Sequence, residues 1–135
     1  MSNSLIMMTS ANTNSVLENG LIPLTTITRR RGQVINSSNN GIVLNRVGYY
    51  KINANITFTA PEAGIVSVAL QKNNLNLQGI TSSTSITTAT TEVRSLALSG
   101  IIRIGCCEAP ATLTLINNGV AIDTSNVEID VEYLG

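Results

Sequence analysis

The chain contains no histidine, and its side chains suited to catalysis or ligand binding fall into a few short groups. The lack of histidine removes the commonest general base, the usual partner of a serine or cysteine nucleophile, and a frequent metal ligand. No phosphate-binding loop, dinucleotide-binding glycine pattern or zinc-ligand spacing occurs. We therefore expect a structural or binding protein and not an enzyme, with no metal and no cofactor.

Three carboxylates, Glu128, Asp130 and Glu132, alternate with apolar residues near the end of the chain. On a strand they would share one face about 7 Å apart, because each residue advances the chain by about 3.3 Å. Calcium prefers six to eight oxygen ligands, so this row could hold an ion only with help from another strand. The row is therefore expected to be solvated or to pair with basic groups on a neighbouring molecule.

Arg29, Arg30 and Arg31 hold three of the eight basic residues of the chain. Alternation sends Arg29 and Arg31 to one side and Arg30 to the other. Adjacent like charges repel, so the cluster must be solvated or paired. Two interpretations stay open: an exposed turn, or contact with an acidic surface, either the 128–132 row of a neighbouring subunit or a capsid shell. Nucleic acid is not expected, because no aromatic side chains are interleaved for base stacking.

Two pairs of adjacent residues also stand out. Tyr49 and Tyr50 must point to opposite faces of a strand, so one belongs to the core and the other points outward. The outward tyrosine is a candidate interface residue, unless it packs under a loop. Cys106 and Cys107 fit neither a disulfide framework nor a metal-ligand spacing. We expect buried thiols near a strand end, with a vicinal disulfide and an intersubunit bridge as alternatives.

The composition describes the elements that must position these groups. Apolar residues make up 43% of the chain, yet there is one Phe, three Tyr and no Trp, so the core must be aliphatic. Charged residues make up only 12%, and the polar remainder is rich in Thr, Ser and Asn, which favour strands and turns. The net charge is zero, which gives little protection against association. These features predict one β-rich domain, 1–135, whose surface is partly covered by other subunits.

Period-two alternation recurs along the chain, and no window shows helical spacing. The clearest strand is 48–59, in which apolar residues from Tyr50 to Phe58 alternate with polar ones. A turn at 60–64 follows, and we expect the strands 48–59 and 64–72 to form a hairpin. Further strands are predicted at 5–9, 21–28, 34–35, 42–45, 75–80, 95–104, 112–116 and 126–133, with turns at 36–41 and 73–74.

Eight to ten short strands without a helix predict a sandwich or a barrel. We assign 1–33 to an N-terminal arm and edge strands, and 34–135 to the sandwich core. Residues 81–91 are almost all Ser and Thr and form either a mobile loop or an exposed edge strand. Residues 1–8 lack the basic region of a secretion signal, and no stretch reaches the roughly 20 apolar residues of a membrane span. We therefore expect a chain made and folded in a cytoplasm, with no membrane partner.

The segment Gly41–Phe58, GIVLNRVGYYKINANITF, resembles the central signature of the tumour-necrosis-factor (TNF) and C1q-like jelly rolls. There, a short apolar strand leads to a Gly-x-Tyr element and then to a long alternating strand. Residues 66–74 and 127–133 resemble the following strand with its Lys-Asn turn and the last strand. The resemblance implies a jelly-roll β-sandwich that forms a homotrimer with aromatic and aliphatic side chains along its axis. The residues themselves agree with a closed cyclic assembly but do not select three subunits.

The chain also resembles small proteins encoded in phages and prophages of Clostridium-like bacteria. The shared features are residues 22–24 (IPL), 29–32 (RRRG), 40–42 (NGI), 48–50 (GYY) and the Cys-Cys pair. This resemblance implies a capsid decoration or cement protein, located in the virion, that binds the major capsid protein or other virion proteins. The alternative is a receptor- or glycan-binding head of a fibre or C1q-like surface protein, with 81–91 as its recognition surface.

Overall fold

The computed structural model describes residues 4–38 and 40–135, whose regular structure is all β-strand. Residues 1–3 and Asn39 lie outside the described residues. The first belong to the segment 1–8, which lacks the basic region of a secretion signal, and Asn39 belongs to the predicted turn 36–41. In the described residues no helix is long and apolar enough to cross a membrane. The strands are β1 (Leu5–Ser10), β2 (Asn14–Val16), β3 (Thr26–Arg31), β4 (Ile35–Ser38), β5 (Gly41–Leu44), β6 (Gly48–Thr59), β7 (Gly64–Lys72), β8 (Leu75–Ile86), β9 (Arg94–Ile104), β10 (Ala111–Asn117) and β11 (Ile122–Tyr133).

The strands form two antiparallel sheets that enclose one aliphatic core. The front sheet has the order β3-β1-β11-β6-β9, with β2 paired to the start of β11. The back sheet has the order β4-β5-β10-β7-β8. Buried Ile, Leu and Val side chains fill the space between the sheets, together with Tyr50 and Phe58. The predicted all-β sandwich with an aliphatic core is confirmed.

The central strand β6 shows how sequence pattern becomes burial. Its residues from Tyr50 to Phe58 alternate between fully buried and at least partly exposed, as the sequence predicts. The rings of Tyr50 and Tyr133 lie 4.9 Å apart at their centroids. The Tyr50 hydroxyl donates to the carbonyl of Arg46 at 2.6 Å, and the Tyr133 hydroxyl donates to the carbonyl of Val47 at 2.8 Å. Both phenols therefore keep a partner in a buried setting.

The predicted hairpin between 48–59 and 64–72 is wrong. Strand β6 pairs with β11 and β9 in the front sheet, whereas β7 pairs with β10 and β8 in the back sheet. The turn around Pro61 therefore crosses from one sheet to the other. Each strand has one apolar row, and placing the strands in facing sheets brings both rows into the same core.

Several predicted boundaries also differ from the structure, which has eleven strands in its described residues. The strand predicted at 21–28 begins at Thr26 and continues through the arginines to Arg31, and the turn predicted at 36–41 is strand as far as Ser38. Strand β2 was not predicted, and the last strand begins at Ile122. These elements are short, irregular or exposed, so they carry weak alternation. The Asn73–Asn74 turn is confirmed, and both residues have the positive φ that a two-residue hairpin requires.

Strand β8 settles the alternatives for 81–91. Residues 81–86 are an edge strand paired with β7, and residues 87–91 follow it as a loop. The pairing is interrupted at 77–80, where Ile80 turns inward against Gly100 of β9. A Cβ atom at Gly100 would lie 2.9 Å from the Ile80 Cδ1 atom, so the glycine makes room for this contact. Strands β8 and β9, at the edges of the two sheets, are therefore in contact at this point.

Candidate assembly face

The outer face of the front sheet, which we call the assembly face, collects most of the predicted interface residues. On β11, Glu128, Asp130 and Glu132 point outward, whereas the alternating residues 127, 129, 131 and 133 are buried. The predicted sharing of one face by the three carboxylates is therefore confirmed. Since β11 is the middle strand of the front sheet, the row runs along the centre of this face.

The register gives each of the three carboxylates a defined neighbour on β6, and Glu128 lies opposite Asn55. Glu132 lies opposite Lys51, and Asp130 lies opposite Asn53, whose side-chain amide donates to Asp130 Oδ1 at 3.5 Å. Cross-strand opposite charges such as Glu132 and Lys51 contribute modestly to pairing. Across residues 4–38 and 40–135, no three acidic, histidine or cysteine side chains gather into a metal-binding group.

Arg29 and Arg31 lie on the same face, two strands away from the carboxylates. They sit on edge strand β3, opposite Met7 and Leu5 of β1, and these two β1 residues lie opposite the carboxylate row. Neighbouring strands are about 4.8 Å apart, so the cationic edge and the anionic row are separated by about 10 Å. The ion pairs found in the described part of the chain involve other residues. The arginines of β3 are thus held apart from the carboxylates of β11 on this face.

Arg30 points to the opposite side, as alternation predicts. Its guanidinium donates to the side-chain oxygen of Asn36 on β4, so it links the edges of the front and back sheets. The expectation of an exposed turn at 29–31 is wrong, because the three arginines belong to a paired strand. All six residues of β3 are exposed, so repulsion among the arginines is relieved by solvent.

Exposed apolar side chains lie at the other end of the assembly face. Tyr50 is buried, and Tyr49 is 49% exposed and lies opposite Arg103 of β9, which confirms the predicted alternation. On β9, Ile101 is 63% exposed and lies opposite Lys51. Sequence reasoning did not single out Ile101, although the alternation of 95–104 already places it outward. The role of Tyr49 in an interface stays a prediction.

A carboxylate organises the loop 87–91 on another part of the surface. Glu92 Oε1 accepts hydrogen bonds from the backbone amides of Thr87 and Thr88, both at 3.0 Å. Its other oxygen accepts from Arg94 Nε at 2.5 Å. The backbone amide of Thr88 and the guanidinium of Arg94, followed by the amide of Thr87, lower the pKa of Glu92 to about 2. The loop is therefore held by defined bonds at its base.

The two cysteines are placed differently from the prediction. Cys106 and Cys107 are both exposed, in the turn that joins β9 to β10, and both are free thiols. The expectation of buried thiols is wrong, because both residues lie in the turn after β9 and not within a strand. The two sulfur atoms lie 3.3 Å apart, and no disulfide joins them.

Comparison with known proteins identifies the fold. No protein-family model matches the chain, and no curated protein matches it by sequence. Among solved structures, murine APRIL at pH 5.0 superimposes with a TM-score of 0.76 and 11% identity, covering 98% of this chain and 100% of that one.

Two further structures extend the likeness. The Eiger TNF from S. frugiperda gives a TM-score of 0.72 and 10% identity over 98% of this chain and 92% of that one. The globular domain of zebrafish complement 1qA gives 0.71 and 4% identity over 98% of each chain. The chain therefore has the jelly-roll fold of the TNF-like and C1q-like domains.

Proposed function

We propose that the chain is a structural, non-enzymatic protein that forms a homotrimer through the assembly face and acts by binding other proteins. The observation that carries the proposal is the charge pattern of that face. Arg29 and Arg31 lie at the sheet edge, and the carboxylates of β11 lie about 10 Å away, at about 4.8 Å per strand. A rotation that sets the cationic edge of one copy on the anionic row of the next pairs the arginines with the carboxylates.

Such a contact is heterologous and closes into a ring when the rotation allows it. The number three follows from the resemblance of Gly41–Phe58 to trimeric jelly rolls. Complementary charges mainly set the orientation and rate of association, whereas buried apolar area supplies most of the affinity. Tyr49 and Ile101, exposed in one chain, and the partly buried Leu5 and Met7 are large apolar side chains of this face that assembly would cover.

The finer form of the proposal is a virion decoration or cement protein. Its support is the resemblance to phage- and prophage-encoded proteins, together with the neutral, charge-poor composition. Each trimer would bridge neighbouring shell subunits, and many copies of a modest contact would oppose the pressure of packaged DNA. The protein would then be found in the virion, with the major capsid protein or another virion protein as its partner.

The assembly is tested by light scattering on the purified chain at several concentrations. The expected particle mass is three times the 14.3 kDa of one chain. Reversing the edge charges with Arg29→Glu and Arg31→Glu should yield monomers, and adding Asp130→Lys and Glu132→Lys should restore the assembly. Glu62→Lys, in the exposed turn after β6, is the matched control and should leave the mass unchanged. A wild-type chain that stays monomeric at high concentration would refute the trimer.

The virion role needs a separate measurement. Mass spectrometry of purified virions should find the protein, and genome-free shells should bind the purified trimer. Absence from virions, together with no binding to shells, would refute this role and leave the trimer intact.

The receptor- or glycan-binding alternative keeps one supporting observation, the exposed loop 87–91 anchored by Glu92. Loops on a rigid sandwich are suitable recognition surfaces. A glycan-array or cell-binding signal that is lost when residues 87–91 are replaced by a Gly-Ser segment would favour this alternative. Binding to capsid shells by the same loop variant would favour the decoration role.

A further inference from the structure

The turn between β9 and β10 presents two thiols to solvent at chelating distance. Cys106 Sγ and Cys107 Sγ lie 3.3 Å apart, and both side chains are exposed. Adjacent residues of a strand point to opposite sides. Here Cys107 has a left-handed φ of 71°, and the turn brings both sulfur atoms together.

The turn is fixed on both sides of the thiols. The amide of Glu108 donates to the carbonyl of Gly105 at 3.2 Å, and the amide of Gly105 donates to Glu108 Oε1 at 2.8 Å. The other carboxylate oxygen of Glu108 lies 2.6 Å from Lys72 Nζ of β7, an ion pair that ties the turn to the back sheet. These contacts hold the backbone that carries the two sulfur atoms.

Geometry opposes closing the pair into a disulfide. The Cα atoms of adjacent residues are about 3.8 Å apart across a trans peptide. An unstrained disulfide has a Cα separation of about 4.4–6.8 Å. Oxidation of Cys106 and Cys107 to a vicinal disulfide would therefore introduce strain, and strained disulfides are readily reduced. The open dithiol is the favoured state.

We propose that Cys106 and Cys107 form a chelating dithiol site for a soft, thiophilic metal or metalloid centre that accepts two sulfur ligands. Thiolates are soft ligands that select such centres over oxygen-preferring cations. Binding releases the two thiol protons and forms two bonds from sulfur to the centre. Once one sulfur is bound, the second thiol is already held in the same turn, so its effective concentration far exceeds that of a free thiol in solution. The site is independent of the assembly face.

A trivalent organoarsenical, phenylarsine oxide, is a suitable probe because it requires two sulfur ligands. The arsenic–oxygen bond breaks, two arsenic–sulfur bonds form, and the oxygen leaves as water with the two thiol protons. Arsenic stays trivalent and sulfur stays reduced, so no oxidant is needed. Intact-mass spectrometry of the anaerobically reduced chain should show one adduct per chain, with both thiols lost to a thiol-reactive dye.

The chelate is tested by competition with an excess of a monothiol. The wild-type adduct should survive the monothiol and be removed by a dithiol such as 2,3-dimercaptopropanol. Cys106→Ser and Cys107→Ser should each bind at least about 100-fold more weakly, because one sulfur bond is lost. No adduct on the wild type, or equal resistance to the monothiol in either single variant, would overturn the proposal.

Preorganisation by the turn is tested separately. Glu108→Ala keeps both thiols but removes the bond to Gly105 and the ion pair with Lys72. Its affinity for the probe should fall several-fold, since ordering the turn then has to occur on binding. Glu62→Ala, in a different exposed turn, should bind like the wild type. Binding by the Glu108 variant at wild-type strength would show that any adjacent cysteine pair suffices, and would refute a site built by this fold.

Discussion

Asn117, at the end of β10, is a buried side chain whose loss should have a large and specific effect on stability. Its side-chain nitrogen lies 2.9 Å from the carbonyl oxygen of Val120 and 3.3 Å from those of Val16 and Leu17. Its side-chain oxygen accepts from the amide of Gly119 at 3.0 Å. The residue is fully buried. One amide group therefore ties the end of β2 to the turn between β10 and β11.

The magnitude follows from the number of bonds the side chain can make. The amide has two N–H donors, and its oxygen accepts one bond here, so Asn117→Ala removes about three hydrogen bonds. At a net value of about 1 kcal/mol for each, the free energy of unfolding should fall by about 3 kcal/mol. Asn117→Asp should cost at least as much at pH 7, because a carboxylate oxygen would replace the amide nitrogen and face the carbonyl oxygens of Val16, Leu17 and Val120. That cost should shrink at acidic pH, where protonation restores one donor.

Urea unfolding followed by far-UV circular dichroism measures the effect, as a lower midpoint at an unchanged slope. Protein concentration must be held constant, since an oligomer gains stability with concentration. Asn118→Ala is the matched control. Asn118 is exposed, and its backbone amide, which donates to Ser67, is retained in the variant. Its effect should stay within about 0.5 kcal/mol. Equal midpoints for the Asn117 and Asn118 alanine variants would refute the reasoning.

Three further changes probe other parts of the fold. Burial raises the pKa of Tyr50, so the contribution of its neutral phenol to stability is present below pH 10 and is lost as pH rises through the higher native pKa. The stability advantage of the wild type over Tyr50→Phe, measured by urea unfolding, should therefore shrink above pH 10. A constant difference would contradict this. The pKa of Glu92 is lowered to about 2, so the contribution of its carboxylate to the stability of the loop is present above about pH 4.5 and is lost as pH falls through about 2. Hydrogen exchange should show Thr88 amide protection falling over that range, and Glu92→Gln, which keeps an acceptor oxygen but does not ionise, should lack this pH dependence. Ile80→Ala should cost about 2 kcal/mol by opening a cavity beside Gly100, and a thermal midpoint equal to that of the wild type would exclude this packing role.

Strands whose two faces differ in burial could be predicted from the sequence. The predicted bounds 48–59 are those of β6, and 95–104 differs from β9 by one residue. In both, apolar residues turn to the core while polar residues mostly turn outward, which produces the period of two. Strand β3 has no such contrast because all six of its residues are exposed. The arginines therefore resembled a turn, although they belong to the sheet edge.

Pairing partners and turn geometry could not be predicted from local sequence. The residues at 60–64 specify a change of direction, but the choice between a hairpin and a crossing depends on β11 and β9, which occupy the two edges of β6. Cysteine is usually buried, which led to the wrong expectation for Cys106 and Cys107. Their exposure depends on contacts of Glu108 with Gly105 and with Lys72, which is distant in the sequence.

The charge pattern of the assembly face is hard to explain as a property of one chain. Sixteen residues of the chain are charged, and eight of them lie on this face: Arg29, Arg31, Lys51, Arg103, Asp123, Glu128, Asp130 and Glu132. Solubility requires only that the two signs be interspersed. The arginines lie about 10 Å from the carboxylates, at about 4.8 Å per strand, and salt screens exposed charges over about 8 Å at physiological ionic strength. Attraction across this distance contributes little to one chain, whereas a second copy that brings the two groups into contact removes both the separation and most of the screening.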